Sequence, residues 1–275
     1  MRIAITGANG QVGLALQSAL SGDHDVIPLV RPDFEITQPA ISKKIAELKP
    51  DLVIHPAAMT NVDGCAQDPA TAYLVNGFGT QNVALACLQS QATMVYISTN
   101  EVFDGTASAP YHEYAKPNPI NPYAASKLAG ENMVTQLLSR AYIVRISWVF
   151  TKIGSNFPAK IIQAADKHGQ LRVVTDEVSS PTYAPDLAQA IAQLILTDHY
   201  GIYHLSNSGI CSRYEYTLEI LRQSDRSNIP VEPITSADFD RASTPPAYAP
   251  LQNNLGAALD IRLRSWQDAL VDYFS

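Results

Sequence analysis

The first thirteen residues leave this chain few choices of fold. Arg2-Ile3-Ala4-Ile5-Thr6 reads as a short apolar strand, and it runs into Gly7-Ala8-Asn9-Gly10-Gln11-Val12-Gly13. Val12, Leu16, Ala19 and Leu20 then recur at helical spacing. Strand, glycine-rich turn and helix, in that order, form the context a dinucleotide-binding fingerprint requires. Gly7 permits the tight turn, Gly10 lets backbone approach a pyrophosphate, and Gly13 lets the helix pack on the strand. Asn9, Gln11 and Val12 complete the candidate cofactor set at the helix N-terminus, where phosphate oxygens meet free N–H groups.

The pattern continues beyond the turn. Asp25–Val30, Asp51–His55, Thr93–Ser98 and Tyr142–Ile146 read as further strands, and Pro69–Cys87 and the stretch from Tyr123 through Leu137 as helices. Such alternation predicts an α/β fold with a doubly wound parallel sheet of the Rossmann kind over residues 1–150. Residues 151–275 then form a smaller, mainly substrate-binding C-terminal lobe, with segments near 185–205 returning to the sheet. The proline-rich stretch 231–254 suits an irregular lobe or flap. Asp25–Val30 ends beside Arg31 with no carboxylate at its tip. A guanidinium there suits a 2′-phosphate and favours NADP(H) over NAD(H), with Asp33 and Glu35 as acidic alternatives. Ala57 and Ala58, just after Asp51–His55, are small enough to admit the cofactor.

A net charge of −7 without a Lys/Arg cluster disfavours nucleic acid and anionic membranes as partners. No stretch has the length and apolarity of a membrane span. Cys65, Cys87 and Cys211 are odd in number and widely spaced, which fits neither a disulfide framework nor a zinc site. Cytoplasm is the expected compartment.

Asn121-Pro122 is a good helix start, and Tyr123 and Lys127 then lie one turn apart on one face. A cation beside a phenol lowers its pKa, and such a Tyr can exchange a proton with a carbonyl oxygen. By itself the pair also fits an amphipathic Tyr with a snorkelling Lys. Thr99, Asn100 and Glu101 follow the fourth strand, at the carboxyl edge where open α/β sheets bind ligands.

Together, Thr6–Gly13, Thr99 and Tyr123-x-x-x-Lys127 resemble the extended short-chain dehydrogenase/reductases, and within them the dTDP-4-dehydrorhamnose reductase family. The resemblance covers nearly the whole chain. It includes GANGQVG at 7–13, VD at 62–63, VFDG at 102–105, YAASKLAGE at 123–131, SWVF at 147–150 and IRLRSWQDAL at 261–270. It implies reduction by NAD(P)H of the 4-keto group of a nucleotide-linked 6-deoxyhexose. Tyr123 would give the proton, Lys127 would lower the Tyr pKa and bind the nicotinamide ribose, and Thr99 would orient the substrate oxygen. Thr60, Val62 and Trp148 would lie near the sugar. A homodimer through the helices at Pro69–Cys87 and Tyr123–Leu138 is implied as well. Some family members use magnesium, but this sequence shows no ligand cluster, so no metal residue is assigned.

The chain also departs from the family. Ser98-Thr99-Asn100-Glu101 stands where Ser-Thr-Asp-Tyr is usual, Gly64 and Ala66 replace a Lys and a Glu, and Pro245-Pro246-Ala247-Tyr248-Ala249 replaces Arg-Pro-x-x-Ser. Glu101 matches the acidic pattern of nucleotide-sugar 4,6-dehydratases, which together with epimerases form the second reading. A non-catalytic dinucleotide-binding regulatory subunit is the third.

Overall fold

The computed structural model describes residues 1–238 and 241–275. β1 (Arg2–Thr6) turns into α1 (Gln11–Leu20), and α2 (Ile41–Glu47) separates β2 (Asp25–Leu29) from β3 (Leu52–His55). Next come α3 (Val62–Gln67), α4 (Pro69–Tyr73), a π-helical stretch (Leu74–Gly79) and α5 (Thr80–Ser90). β4 (Thr93–Thr99), α6 (Pro122–Leu137) and β5 (Ala141–Ile146) follow. The remainder runs β6 (Val149–Phe150), α7 (Phe157–His168), β7 (Leu171–Val174), β8 (Val178–Ser179), β9 (Thr182–Tyr183), α8 (Ala184–Leu194) and β10 (Gly201–His204). It closes with β11 (Cys211–Ser212), α9 (Arg213–Gln223), β12 (Val231–Ile234), α10 (Leu255–Ala258) and α11 (Trp266–Phe274).

Six strands form one parallel sheet in the order β2-β1-β3-β4-β5-β10. Helices cover both faces, which is why β3 and β4 are buried along their whole length. The period of two divides β1 between two cores. Ile3 and Ile5 pack with Leu16 of α1 and Leu187 of α8, whereas Ala4 packs with Ile45 of α2 and Val83 of α5. From β1 the chain steps to β2 on one side and to β3 on the other. The switch between β1 and β3 opens the crevice in which such sheets take ligands.

The lobe has its own core of Phe150, Ile161, Leu171, Tyr216, Ile220 and Trp266. Two expectations change here. Pro69–Cys87 is not a plain helix: it continues to Ser90 and loosens into the π-helical stretch around buried Asn76. The 231–254 stretch is not wholly irregular, because Val231–Ile234 pairs in parallel with β7. Pro233 is tolerated because that sheet has only two strands, so β12 is an edge. Residues 239 and 240 of that stretch lie outside the described residues.

Candidate active site

The carboxyl ends of β1, β3, β4 and β5 open into a cavity of about 850 Å3. Gly7 sits at φ +56°, and a Cβ there would come within 2.9 Å of the Ala57 Cα. A Cβ on Gly13 would stand 2.5 Å from the Gly7 carbonyl oxygen. These two glycines therefore set how closely β1, α1 and the end of β3 approach. Gly10 caps α1 without any side-chain hydrogen bond. The first-turn N–H groups of α1 thus lie beside the cavity with Asn9, Gln11 and Val12 around them. Ala57 and Ala58 form the facing wall, and exposed Arg31 stands at the rim. Glu35 also lines the rim, but its Oε1 accepts hydrogen bonds from the Thr37 N–H (3.2 Å) and hydroxyl (3.0 Å). Asp33 is not part of the wall.

The Tyr–Lys side of the cavity is built on α6. The Asn121 Oδ1 accepts the Ala124 N–H at 2.8 Å, and Pro122 takes the first helical position, so the helix starts one residue before Tyr123. Tyr123 and Lys127 both face the cavity. The Lys127 Nζ donates to the Ile97 carbonyl at 2.8 Å and rests 4.1 Å above the centre of the Tyr96 ring. Burial brings its pKa down to about 7, against the opposing pull of the Glu131 carboxylate. Burial, reinforced by the Glu101 charge, raises the Tyr123 pKa, with a Thr99 hydrogen bond working the other way. This corrects the expectation that Lys127 holds the phenol pKa down. The ammonium is engaged with Ile97 and the Tyr96 ring, and half-buried Tyr123 keeps its proton.

Thr99, Asn100 and Glu101 line the same cavity from the carboxyl end of β4. The Thr99 Oγ1 accepts the Glu101 N–H at 3.2 Å. The Asn100 side-chain amide donates to the Ser179 hydroxyl (3.1 Å) and the Ala249 carbonyl (3.0 Å), so it fastens the tip of β4 to the lobe. Half-buried Glu101 accepts from the Asn121 Nδ2 at 2.9 Å. Thr60 and Val62 enter the wall from the segment after β3. Asn76 pins that segment: its side chain accepts the Met59 N–H (2.8 Å) and donates to the Met59 carbonyl (3.0 Å) and the Ser126 hydroxyl (2.9 Å).

Trp148 lines the cavity with its backbone at φ +43°, an unusual conformation for a bulky residue. The Arg213 guanidinium stacks 3.6 Å above its ring, and Glu177 holds that guanidinium at 3.5 Å. Glu177 also meets Arg241 at 3.2 Å, and Arg241 reaches Asp63 of α3 at 3.4 Å. The chain of contacts runs from α9 to α3 and borders a second cavity of about 70 Å3. Sequence reasoning assigned no role to Arg213, Glu177 or Arg241. One local signal for Arg213 exists: it opens α9, where the helix dipole disfavours a cation, so a contact elsewhere must compensate.

Among the described residues, no three His, Cys, Asp or Glu side chains stand close enough to hold a metal ion. Nor is any described helix long and apolar enough to cross a membrane.

Comparison with known proteins agrees with this layout. The model of the "RmlD substrate binding domain" family matches residues 1–275. A dTDP-4-dehydrorhamnose reductase of Mycobacterium tuberculosis is 36% identical, over 98% of this chain and 91% of its own. The Bacillus subtilis "Spore coat polysaccharide biosynthesis protein SpsK" is also 36% identical, over 99% of this chain and 96% of its own. The solved dTDP-4-dehydrorhamnose reductase of Bacillus anthracis, in complex with NADP, superposes with a TM-score of 0.96 at 37% identity, covering 99% of this chain and 98% of that one. With a glycine cradle, a Tyr–Lys helix and a lobe-side wall in one crevice, and a match from end to end, the chain belongs to the RmlD substrate binding domain family.

Proposed function

We propose that the protein is an NAD(P)-dependent oxidoreductase that reduces the 4-keto group of a nucleotide-linked deoxyhexose, as in the conversion of dTDP-4-dehydrorhamnose to dTDP-L-rhamnose. The observation that carries this reading is that Thr99, Tyr123 and Lys127 share one cavity with the uncapped N-terminus of α1. The residues fit a dinucleotide. Gly7 and Gly13 leave no room for side chains where backbone must close up, and the first turn of α1 has no capping side chain of its own. The cofactor, when bound, supplies the hydride for the carbonyl carbon.

The chain's own residues do the rest. Tyr123, kept protonated by burial and by Glu101, hands its phenolic proton to the carbonyl oxygen as negative charge develops there. Lys127 spends one donor on Ile97, and its remaining N–H groups serve the ribose hydroxyls of the dinucleotide. Thr99 orients the carbonyl oxygen against Tyr123. Asn100 has committed its amide to the lobe, and an amide cannot supply the proton a carboxylic acid would, which disfavours a 4,6-dehydratase. Trp148, Thr60 and Val62 form the sugar-facing wall.

NADPH is the preferred cofactor in this reading. The support is Arg31 at the rim, the absence of Asp33 from the wall, and the Glu35 carboxylate turned to Thr37. A panel of dTDP-, UDP- and GDP-linked 4-keto sugars followed by NADPH absorbance tests the activity. Stoichiometric NADPH consumption with one sugar is expected, and sugar conversion without it would point to a dehydratase. Calorimetric titration should show NADPH binding more tightly than NADH, and Arg31→Ala should narrow the difference.

A further inference from the structure

Reduction needs one proton donor in this cavity, yet the cavity wall holds a second proton-carrying group. Glu101 borders both the main cavity and the smaller one beside it. Its position is tied to that of Tyr123 through a single residue. Asn121 caps the helix that begins Pro122-Tyr123 through its Oδ1, and it holds the Glu101 Oε2 through its Nδ2 at 2.9 Å. Among the described residues the other carboxyl oxygen, Oε1, takes no hydrogen bond, and Glu101 lines the cavity. Among the described residues, then, one oxygen is held and the other is not, an arrangement that suits a base.

A ketone in this cavity presents chemistry that such a base can use. Carbons next to a carbonyl carry weakly acidic hydrogens, and their acidity grows when an acid hydrogen-bonds the carbonyl oxygen. Resting on the function proposed above, we infer that Glu101 and Tyr123 together enolise a bound 4-keto sugar, a proton-exchange activity separate from reduction. The Glu101 Oε1 takes the proton from C3 or C5, and the C–H electron pair becomes the new C=C bond. The carbonyl π pair moves to the oxygen, which takes the Tyr123 phenolic proton. The Glu101 carboxyl then exchanges its proton with solvent water, and reversal of the two transfers restores the ketone with a solvent hydrogen on carbon and the phenolic proton back on Tyr123. No electron leaves the sugar, so no oxidant or reductant is consumed.

The electrostatics support the role. Burial raises the Glu101 pKa, so the carboxylate is a stronger base than an exposed one. The groups facing it are Asn121, Arg213 and Arg241, which favour its charged form, and Glu177, which opposes it. Tyr123 and Cys65 both feel its charge as an upward shift.

Proton NMR in D2O tests the inference. The protein is mixed with NADP+ and a nucleotide-linked 4-keto-6-deoxyhexose, without reduced cofactor, and the C3 and C5 proton signals are followed. One signal should disappear about 100-fold faster than in protein-free buffer. Glu101→Gln keeps the size of the side chain and an acceptor for Asn121 but cannot take the proton, so exchange should fall to the buffer rate. Glu101→Asp should recover part of it. NADP+ binding by each variant reports that it has folded. Exchange by wild type at the buffer rate, or undiminished exchange by Glu101→Gln, overturns the inference and leaves Glu101 as a hydrogen-bond acceptor for a hydroxyl. The same preparation is then given NADPH. Reduction without prior exchange sinks this inference alone, whereas failure to reduce any 4-keto sugar sinks the proposed function as well.

Discussion

Burial and a neighbouring carboxyl keep the Tyr123 hydroxyl protonated, the state a donor to a carbonyl oxygen requires. A cation fixed under the phenol would have produced the opposite state. Lys127 is instead held by Ile97 and the Tyr96 ring, further along the same helix face. Tyr123→Phe removes the proton and leaves the ring. Turnover should drop by about 100-fold or more while dinucleotide affinity stays within about a factor of three. Stopped-flow absorbance and calorimetry measure the two quantities, and a rate close to that of the parent would remove Tyr123 from the chemistry. Residue-level legibility was high for groups that share a turn or a helix face. Gly7, Gly10 and Gly13, like Tyr123 and Lys127, carry their geometry in their spacing. Arg213, Glu177 and Arg241 carry none, because they meet Trp148 and Asp63 only after the lobe has folded.

At the scale of elements, α6 carries two of the three groups proposed to react, Tyr123 and Lys127, and its first turn depends on one side chain. Asn121 serves as cap and as the partner of Glu101. Asn121→Ala loses both roles. It should cost about 1 kcal/mol in stability through the lost cap and should slow turnover by loosening Tyr123 and Glu101. Asn121→Ser restores the cap but cannot reach Glu101 with an amide. Recovery of the melting temperature without full recovery of kcat is therefore expected. Full recovery of both would show that the Glu101 contact has no part in catalysis. Elements with a strong local signal were legible in the sequence: α1 by the period of Leu16 and Leu20 on its buried face, β4 by its continuous apolar run, and α6 by its Asn-Pro start. Short pieces such as β6, β8 and β11 are two residues each and owe their form to partners distant in sequence. The π-helical stretch was hidden for a similar reason. Its form goes with the Asn76 bonds to Met59 and Ser126, which no helical period encodes.

The molecule as a whole buries charge and titratable groups beneath the crevice. Arg145 and Glu131 form a 2.7 Å ion pair in the core, and Ser98 adds a hydrogen bond to Glu131. His55 lies between Thr6 and Thr80, and His204 beside Arg145. Burial brings both histidines down to a pKa of about 3. Between that value and 6.5 the unfolded chain binds protons that the native chain refuses, so stability falls as pH falls through this window. From neutral pH to pH 5 the two histidines together should cost about 4 kcal/mol, at roughly 1.4 kcal/mol per unit each. Urea unfolding at pH 7 and pH 5 measures the loss. His204→Gln should shrink it, and an unchanged loss would show that other groups govern acid sensitivity. The parallel α/β sheet was legible because glycine turn, alternation and helix starts are local signals. The joining of the parts was not.

That joining restricts how the protein can be altered. The Asn100 amide at the tip of β4 is bonded to Ser179 and Ala249 of the lobe, and Asn121 also donates to the Thr244 carbonyl. The lobe is thus no detachable cassette. Exchanging it for that of another enzyme to change the sugar would strip the backing from Thr99 and Glu101, so new specificity has to come from substitutions within the existing lobe.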